Sequence, residues 1–411
     1  MNEKLVIAMV GLPARGKSTM TRKIARTLEL DDVRTRIFNN GDLRRRLFEE
    51  DTSHPEFFSP GNPKGVAQRE QCARLNLDLA RAFLEEEGQV AILDASNVTR
   101  RRRRMVAEAF PADIPVFFIE CVNADAEALK ANLERKASQQ ELSHLSRREA
   151  VASFLQRIAH YESIYEPLRE EPNRLLVDSF ENRILREQIS DVLPYYDRIR
   201  DIITTRIVKN LYLVRHGETH ANLEERIGGD ADLTPHGRAQ AGALADYFAR
   251  VRIPIIFTST HKRTLRTAAP IAARQEHCAI VALPEFDEIH AGICEGMTYR
   301  EIQERLPEVA AARKRDKYDY VYPEGEGYRT MENRIHRGLK KIFYLTNYND
   351  NIMIVGHRAV NRMILSDFVF RPKEEVPYIY MPQNRYYQIR IDPYKRIFAL
   401  RAYAAKSATG A

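Results

Sequence analysis

Two α/β domains in tandem, each built on a parallel sheet, are predicted by three features of the 411-residue sequence. Short apolar runs alternate with amphipathic helical patterns (LVIAMV, VAILDA and VFFIECV in the first half), the signature of βαβ units. The alternation weakens around residues 167–210, then restarts with LYLVRHG, PIIFTST and NIMIVGH. The first strand of each half runs directly into a motif suited to phosphate chemistry. These features predict one domain over 1–205 and a second over 206–411.

Composition sets outer limits. Hydrophobic residues make up 44% and charged residues 29%, ordinary for a globular protein. No apolar run approaches the roughly 18–20 residues of a membrane span. LVIAMV is too short for a signal h-region and leads into a glycine loop, so it reads as a strand. The four cysteines (Cys72, Cys121, Cys278, Cys294) are scattered, with no CxxC. That spacing points to a reducing, cytoplasmic compartment and away from a disulfide framework or zinc site. The net charge of +7 suits anionic partners of any kind. The densest basic run, Arg100 to Arg104, reads mainly as a solvated helix face.

The first motif, Gly11-Leu12-Pro13-Ala14-Arg15-Gly16-Lys17-Ser18, fits GxxxxGK[ST] between a strand and a helix. Glycines let backbone N–H groups close around phosphate oxygens, and the helix N-terminus adds positive potential. Lys17 can reach the β/γ-phosphates and the Ser18 hydroxyl can coordinate Mg²⁺. Asp94 ends the apolar run VAILD and is the carboxylate expected beside such a loop, for Mg²⁺ or the attacking hydroxyl; its plainer reading is a helix N-cap. Arg44, Arg69, Arg102, Lys136 and Arg157 are the basic residues available to grip an acceptor, though each alone reads as a surface residue.

The second motif, LYLVRHGETHAN, sets Arg215-His216-Gly217 directly after a strand. A neutral imidazole there can attack phosphorus and split one hydrolysis into two easier steps through phosphohistidine. The transferring group carries charge on three oxygens, so cationic donors are needed: Arg215, Arg263 in TSTHKRT, and His357 in IMIVGHR. Glu288 in FDEIHAG is the carboxylate best placed to protonate the leaving alkoxide. This chemistry requires no metal.

Together the segments GLPARGKS (11–18), FNNGDLRRR (38–46), REQC (69–72), LDASNVTRRRR (93–103), FLQRIAHY (154–161), RHGETHANLEERIGGD (215–230), TSTHKRTLRTA (258–268), DEIHAGICEGMTY (287–299), YPEGEGY (322–328) and VGHRAVNR (355–362) resemble the bifunctional 6-phosphofructo-2-kinase/fructose-2,6-bisphosphatase family. The resemblance implies a P-loop kinase domain followed by a phosphoglycerate mutase-like histidine phosphatase domain, often assembled as a homodimer. It implies ATP binding by residues 11–18, Thr19 and Lys136, with Mg²⁺ held through the nucleotide by Ser18 and Asp94. Fructose 6-phosphate would meet Arg44, Arg69, Ser96, Arg102, Arg157 and Tyr161. In the second domain, Arg215, Asn222, Gly228, Tyr299, Arg313, Lys317, Tyr328 and Arg362 match substrate-contacting positions, and Arg358 lies among them. His216 matches the nucleophile, Glu288 the proton donor and His357 the second active-site histidine.

Some positions depart from that pattern. The first strand begins four residues from Met1, so the long regulatory arm of animal members is expected to be missing, and so is a C-terminal phosphorylation tail. Ser96 stands for threonine, Asn123 for a cysteine (with Cys121 two residues away), His290 for an aspartate and Arg358 for a glutamine. The rival readings are a kinase/phosphatase acting on another sugar phosphate or on nucleic-acid ends, a chain with one active half, and a dead scaffold. No interleaved basic-aromatic stretch near Arg100 offers a strand-tracking groove. Small-molecule substrates, without nucleic acid or membrane, are therefore expected. Retention of Lys17, Asp94, His216, Glu288 and His357 speaks against a scaffold.

Overall fold

The computed structural model describes residues 3–48, 52, 54–137, 146–346, 351–369, 371–392 and 394–403. The chain divides into two compact units, Met1–Arg206 and Ile207–Ala411.

In the first unit, strands β1 (Leu5–Val10), β2 (Thr35–Asn39), β3 (Val90–Asp94), β4 (Val116–Val122), β5 (Arg174–Asp178) and β6 (Arg183–Gln188) form one sheet in the order β2-β3-β1-β4-β5-β6. All neighbours are parallel except the hairpin β5/β6. All six residues of β1 are buried because helices cover both faces, and their side chains alternate between two cores. Leu5, Ile7 and Met9 pack with Met20, Ile24, Leu28 and Ile202 on one side. Val6, Ala8 and Val10 pack with Leu77, Leu84, Val106 and Phe110 on the other. Each of these side chains larger than Ala8 contributes about 1.5–3 kcal/mol.

The weakly patterned stretch after residue 167 holds the hairpin β5/β6 and the helix Tyr196–Thr204. β6 is an edge strand of largely exposed, charged residues (RILREQ), so it lacks the apolar run by which strands are read.

The arginine run opens the helix Arg100–Glu108, capped by the Thr99 hydroxyl. It is less solvated than its composition suggests. Arg103 is 1% exposed, ion-paired with Glu171, and donates to the carbonyls of Asn97 (3.2 Å) and Glu166 (2.8 Å). Arg100 pairs with Glu170 at 2.9 Å and Arg101 with Glu70, while Arg104 is exposed.

In the second unit, β7 (Val208–Arg215), β8 (Ile255–Thr258), β9 (Ala279–Ala282), β10 (Asn351–Gly356), β11 (Arg385–Ile391) and β12 (Arg396–Ala402) lie in the order β12-β11-β7-β10-β8-β9. β7, β10, β8 and β9 are parallel, and β11 runs antiparallel to both β7 and β12. The register Gly356↔Arg215 makes β7 and β10 end side by side. Among the described residues no helix is long and apolar enough to cross a membrane.

Arg103→Ala should destabilise the first unit by about 2–4 kcal/mol, because it strands the partly buried Glu171 carboxylate. Arg104→Ala should stay within about 0.5 kcal/mol of the parent. The urea midpoint at which the first unit unfolds measures both.

Candidate active sites

The first site begins where β1 ends. Gly11 has φ 129° and Gly16 φ 79°, values that favour glycine, and a Cβ on Gly11 would also strike the Cys121 carbonyl. The helix Lys17–Leu30 starts at Gly16 with no side-chain cap, so its first N–H groups face the loop. Neighbouring elements pin the loop backbone. Gly11 N–H donates to the Ser96 carbonyl (2.9 Å), Asn132 to the Ala14 carbonyl (2.8 Å), and the Ser179 hydroxyl to the Arg15 carbonyl (2.8 Å). Arg15 itself donates to the Asn123 carbonyl at 2.6 Å, a backbone role that the exchange of cysteine for asparagine leaves intact. Ser18 and Thr19 lie in the first helical turn.

Lys17 is buried and its ammonium donates to the Leu12 carbonyl at 2.6 Å. Burial pushes its pKa down to about 8, opposed most strongly by Asp94. Asp94, also buried, accepts from Asn39 at 2.6 Å, so the ends of β1, β2 and β3 meet in one place. Asn39 lies in the segment FNNGDLRRR, but its contact with Asp94 appears only once β2 pairs with β3.

Beside this cradle the structure gathers Arg44, Arg69 and Arg157 around two phenylalanines. The Arg44 guanidinium lies 5.0 Å from the Phe58 ring centre and Arg157 lies 3.7 Å from it. Arg69 lies 5.7 Å from Phe57 and donates to its carbonyl. Tyr161 packs on Phe58 at 6.2 Å. Burial lowers the pKa values of Arg69 and Arg102; Tyr161 opposes that in both, Arg44 adds to it at Arg69, and Arg101 and then Arg69 add to it at Arg102. Partly desolvated guanidinium groups crowded together suit a phosphate dianion. Lys136 and Arg157 both lie over Phe154, at 5.7 and 5.5 Å. Phe57 and Phe58 were missed because the sequence around them shows no periodicity.

In the second unit, parallel pairing of β7 and β10 sets His216 beside His357, with ring centres 5.3 Å apart and both rings buried. His216 Nδ1 lies 2.7 Å from the Gly217 carbonyl. A carbonyl only accepts, so Nδ1 carries the proton and Nε2 keeps a free lone pair. His357 is the opposite tautomer. Arg263 Nε–H donates to its Nδ1 at 3.1 Å, leaving Nε2–H to donate to Ser259 Oγ at 2.8 Å. Burial holds both imidazoles well below their ordinary pKa, with Arg263 the next cause for each. Arg358 is absent from those causes. It acts instead on Arg215, whose pKa falls to about 10 through burial and then Arg358, with Glu288 opposing.

Arg215, His216, Arg263 and Glu288 line a cavity of about 510 Å³ that also takes in Asn222, Gly228, Tyr299, Arg313, Lys317, Tyr328, Arg358 and Arg362, while His357 is fully buried behind that lining. Arg362 donates to the Tyr328 hydroxyl at 3.2 Å and to the Ile379 carbonyl at 2.7 Å. Lys317 donates to the Pro377 carbonyl at 3.3 Å, and Arg313 lies 5.1 Å from the Tyr299 ring centre. Glu288 Oε1 accepts from the Ile289 N–H at 3.0 Å. The Nε of Arg215 is buried with no hydrogen-bond partner among the described residues. Gly228 has φ 73°, and a Cβ there would collide with Glu295, which accepts from Gly229 N–H at 2.8 Å.

His290 does not line the cavity; its Nδ1 accepts from Gly292 N–H at 3.2 Å. Arg358 does line it. Two further residues have roles that only the fold reveals. Ser259 lies in the TSTHKRT segment, yet its bond to His357 appears only in three dimensions. Gln383 bridges the His216 carbonyl (3.2 Å) and Asn222 (3.0 Å) from a loop without periodicity.

The sequence profile of 6-phosphofructo-2-kinase matches residues 1–214, and that of branch 1 of the histidine phosphatase superfamily matches residues 211–403. Among curated relatives, 6-phosphofructo-2-kinase/fructose-2,6-bisphosphatase 4 of Rattus norvegicus is 38% identical over 92% of this chain and 80% of its own. The protein of the same name from Homo sapiens is 37% identical over the same shares. 6-Phosphofructo-2-kinase/fructose-2,6-bisphosphatase 1 of Bos taurus is 35% identical over 93% of this chain and 80% of its own.

Arg358→Gln should weaken inhibition of phosphate-ester hydrolysis by inorganic phosphate about three- to tenfold, the loss of one partly exposed charge-assisted hydrogen bond. The gap between the variants should narrow as salt is raised. Equal inhibition constants at low salt would place the side chain outside the phosphate's reach.

Proposed function

Because the chain belongs to the 6-phosphofructo-2-kinase/fructose-2,6-bisphosphatase family, we propose that its first unit phosphorylates the 2-hydroxyl of fructose 6-phosphate and its second removes that phosphate. The first unit is a kinase domain that uses ATP, and the second is a histidine phosphatase domain. The observation that carries the hydrolytic half is the fixed tautomer of His216, with Nδ1–H on the Gly217 carbonyl and burial keeping the ring neutral.

In the kinase, the loop 11–18 cradles the nucleotide phosphates and Lys17 draws charge from the β/γ oxygens as the γ-phosphoryl leaves. Asp94, next to Lys17 and oriented by Asn39, faces the attacking hydroxyl. Arg44, Arg69, Arg102 and Arg157 hold the 6-phosphate, with Ser96 and Tyr161 on the sugar. Lys136 and Thr19 complete the nucleotide contacts. The Ser18 hydroxyl and the Asp94 carboxylate are hard oxygen donors of the kind Mg²⁺ prefers, and the ion would neutralise charge between the phosphates.

In the phosphatase, His216 Nε2 attacks the 2-phosphorus. A P–N bond forms, the P–O bond to C2 breaks, and Glu288 delivers its proton to the departing oxygen. Water then attacks phosphohistidine with Glu288 as base, releasing phosphate. Arg215, Arg263 and His357 surround the transferring oxygens, while Arg313, Lys317, Tyr328 and Arg362 take the 6-phosphate. Asn222, Gly228 and Tyr299 shape the sugar site between them. Both substrates are small anions, and a cytoplasmic homodimer fits the scattered cysteines and the family. The nucleic-acid reading loses its motive, since Arg100, Arg101 and Arg103 are ion-paired within the unit.

The two activities should separate. Incubation with γ-labelled ATP and fructose 6-phosphate should yield labelled fructose 2,6-bisphosphate, and chelating Mg²⁺ should stop this while sparing hydrolysis. Lys17→Met should lose only synthesis. His216→Ala should lose only hydrolysis, together with an acid-labile, base-stable phosphoenzyme. Label on a serine or aspartate would overturn the nucleophile assignment.

Lys317 makes hydrolysis sensitive to pH. Burial first, then Arg313, Arg362 and Arg358, push its pKa down to about 8. A lowered ammonium pKa means the charge is present below about 8 and is lost as pH rises through that value. KM for the bisphosphate should therefore climb above pH 8 by up to about tenfold per unit, with kcat flat. Lys317→Arg should remove the climb; a pH profile unchanged by that exchange would exclude Lys317 as its source.

A further inference from the structure

Glu288 has no regular structure of its own to fix its reach. It lies between the short turns Pro284–Phe286 and Gly292–Cys294, and its carboxylate accepts from the N–H of the next residue at 3.0 Å and, at a long 3.5 Å, from the Ala359 N–H. The backbone on both sides of it is held instead by the helix Tyr328–Leu345 and the loop that enters it. Arg334 on that helix donates through Nη1 to the carbonyls of Glu285 and Asp287, each at 2.8 Å. The Asp287 carbonyl shares its peptide plane with the Glu288 nitrogen, so this contact fixes the orientation of the Glu288 backbone.

Arg334 is in turn locked by Glu326 in a two-point bond, Nε to Oε1 at 2.9 Å and Nη2 to Oε2 at 2.7 Å. Glu326 reaches the far side of Glu288. Its Oε2 accepts from His290 N–H (3.3 Å), and its own N–H donates to the His290 carbonyl (2.8 Å). Gly338, one turn further along, lacks the Cβ that would strike Phe286, so the helix can lie close enough for these bonds. Neither Arg334 nor Glu326 lines the cavity.

We propose that Arg334, held rigid by Glu326, is the positioning residue that sets the reach of Glu288 toward the leaving oxygen; this rests on the reading of Glu288 as proton donor. The planar guanidinium serves both carbonyls and the carboxylate at once, a geometry an ammonium cannot copy. The proton goes from Glu288 to the alkoxide formed as the P–O bond breaks, and Arg334 transfers nothing.

The test compares two substrates in the full-length protein. Fructose 2,6-bisphosphate needs its leaving alkoxide protonated, whereas p-nitrophenyl phosphate releases a stable phenolate without a proton. Arg334→Met should lower kcat for the bisphosphate by about 10–100-fold, the scale of a misplaced catalytic group. KM should barely move, and aryl phosphate hydrolysis should persist. Arg334→Lys should not rescue, Glu326→Gln should shift activity in the same direction but less, and Arg334→Met should add nothing to Glu288→Gln. Equal losses on both substrates, or a multiplicative double variant, would overturn the proposal. If Arg334→Met cannot be purified folded, the Glu326→Gln substrate ratio decides in its place. Should Glu288→Gln turn over the bisphosphate normally, the acid assignment fails; should it be impaired while Arg334→Met is not, the clamp alone fails.

Discussion

A parallel strand buried on both faces has no side chain free for chemistry except where it leaves the sheet. β1 is such a strand, and β7 is buried in the same way over Leu211–Val214; each is central in its sheet and flanked on both edges by other strands. The reacting groups therefore collect at their C-terminal ends: the loop Gly11–Ser18 after β1, and Arg215-His216 after β7. The neighbours then follow from register. Asp94 closes β3, Asn39 closes β2, and Gly356 opposite Arg215 delivers His357 beside His216. A slip of one residue in the β7/β10 pairing would turn one histidine into the opposite face of the sheet, and the phosphatase site would not form.

Both sites then solve the same electrostatic problem with different parts. A phosphate dianion must be taken from water, so each site stores positive charge that water no longer screens. In the first unit the guanidinium groups rest on the faces of Phe57 and Phe58, whose electron-rich surfaces favour them over plain burial. In the second, Arg215, Arg263, Arg313, Lys317, Arg358 and Arg362 share one cavity, and burial followed by repulsion from neighbouring guanidinium groups lowers the pKa values of Arg215 and Lys317. An incoming anion relieves that repulsion. Burial, and after it Arg263 and Arg215, keeps His216 neutral, so two of the cavity's guanidinium groups also favour an uncharged imidazole.

Much of this was legible in the sequence because phosphate chemistry imposes strict local patterns. The loop 11–18 and the run Arg215-His216-Gly217 each need a strand before them, and apolar runs supplied that context. The hairpin β5/β6 was not legible, because its outer strand is charged and exposed, and a strand that buries little leaves no hydrophobic trace. The arginine run misled in the opposite direction. Five consecutive arginines look like a solvated face, yet helical spacing turns Arg103 inward onto Glu171.

By itself the sequence determined the fold class, the presence of two phosphate-handling motifs, the family and the residue types available to each site. These are properties of short segments, set by backbone conformation and hydrophobic period. Tertiary structure alone decided the tautomers of His216 and His357, the roles of Asn39, Phe58, Ser259 and Gln383, and the clamp of Arg334 and Glu326 on the Glu288 segment. Apart from the His216–Gly217 and Arg334–Glu326 contacts, each of those is a hydrogen bond or ring contact between residues far apart along the chain. Its partner is chosen by how strands register and helices pack, which no local pattern records.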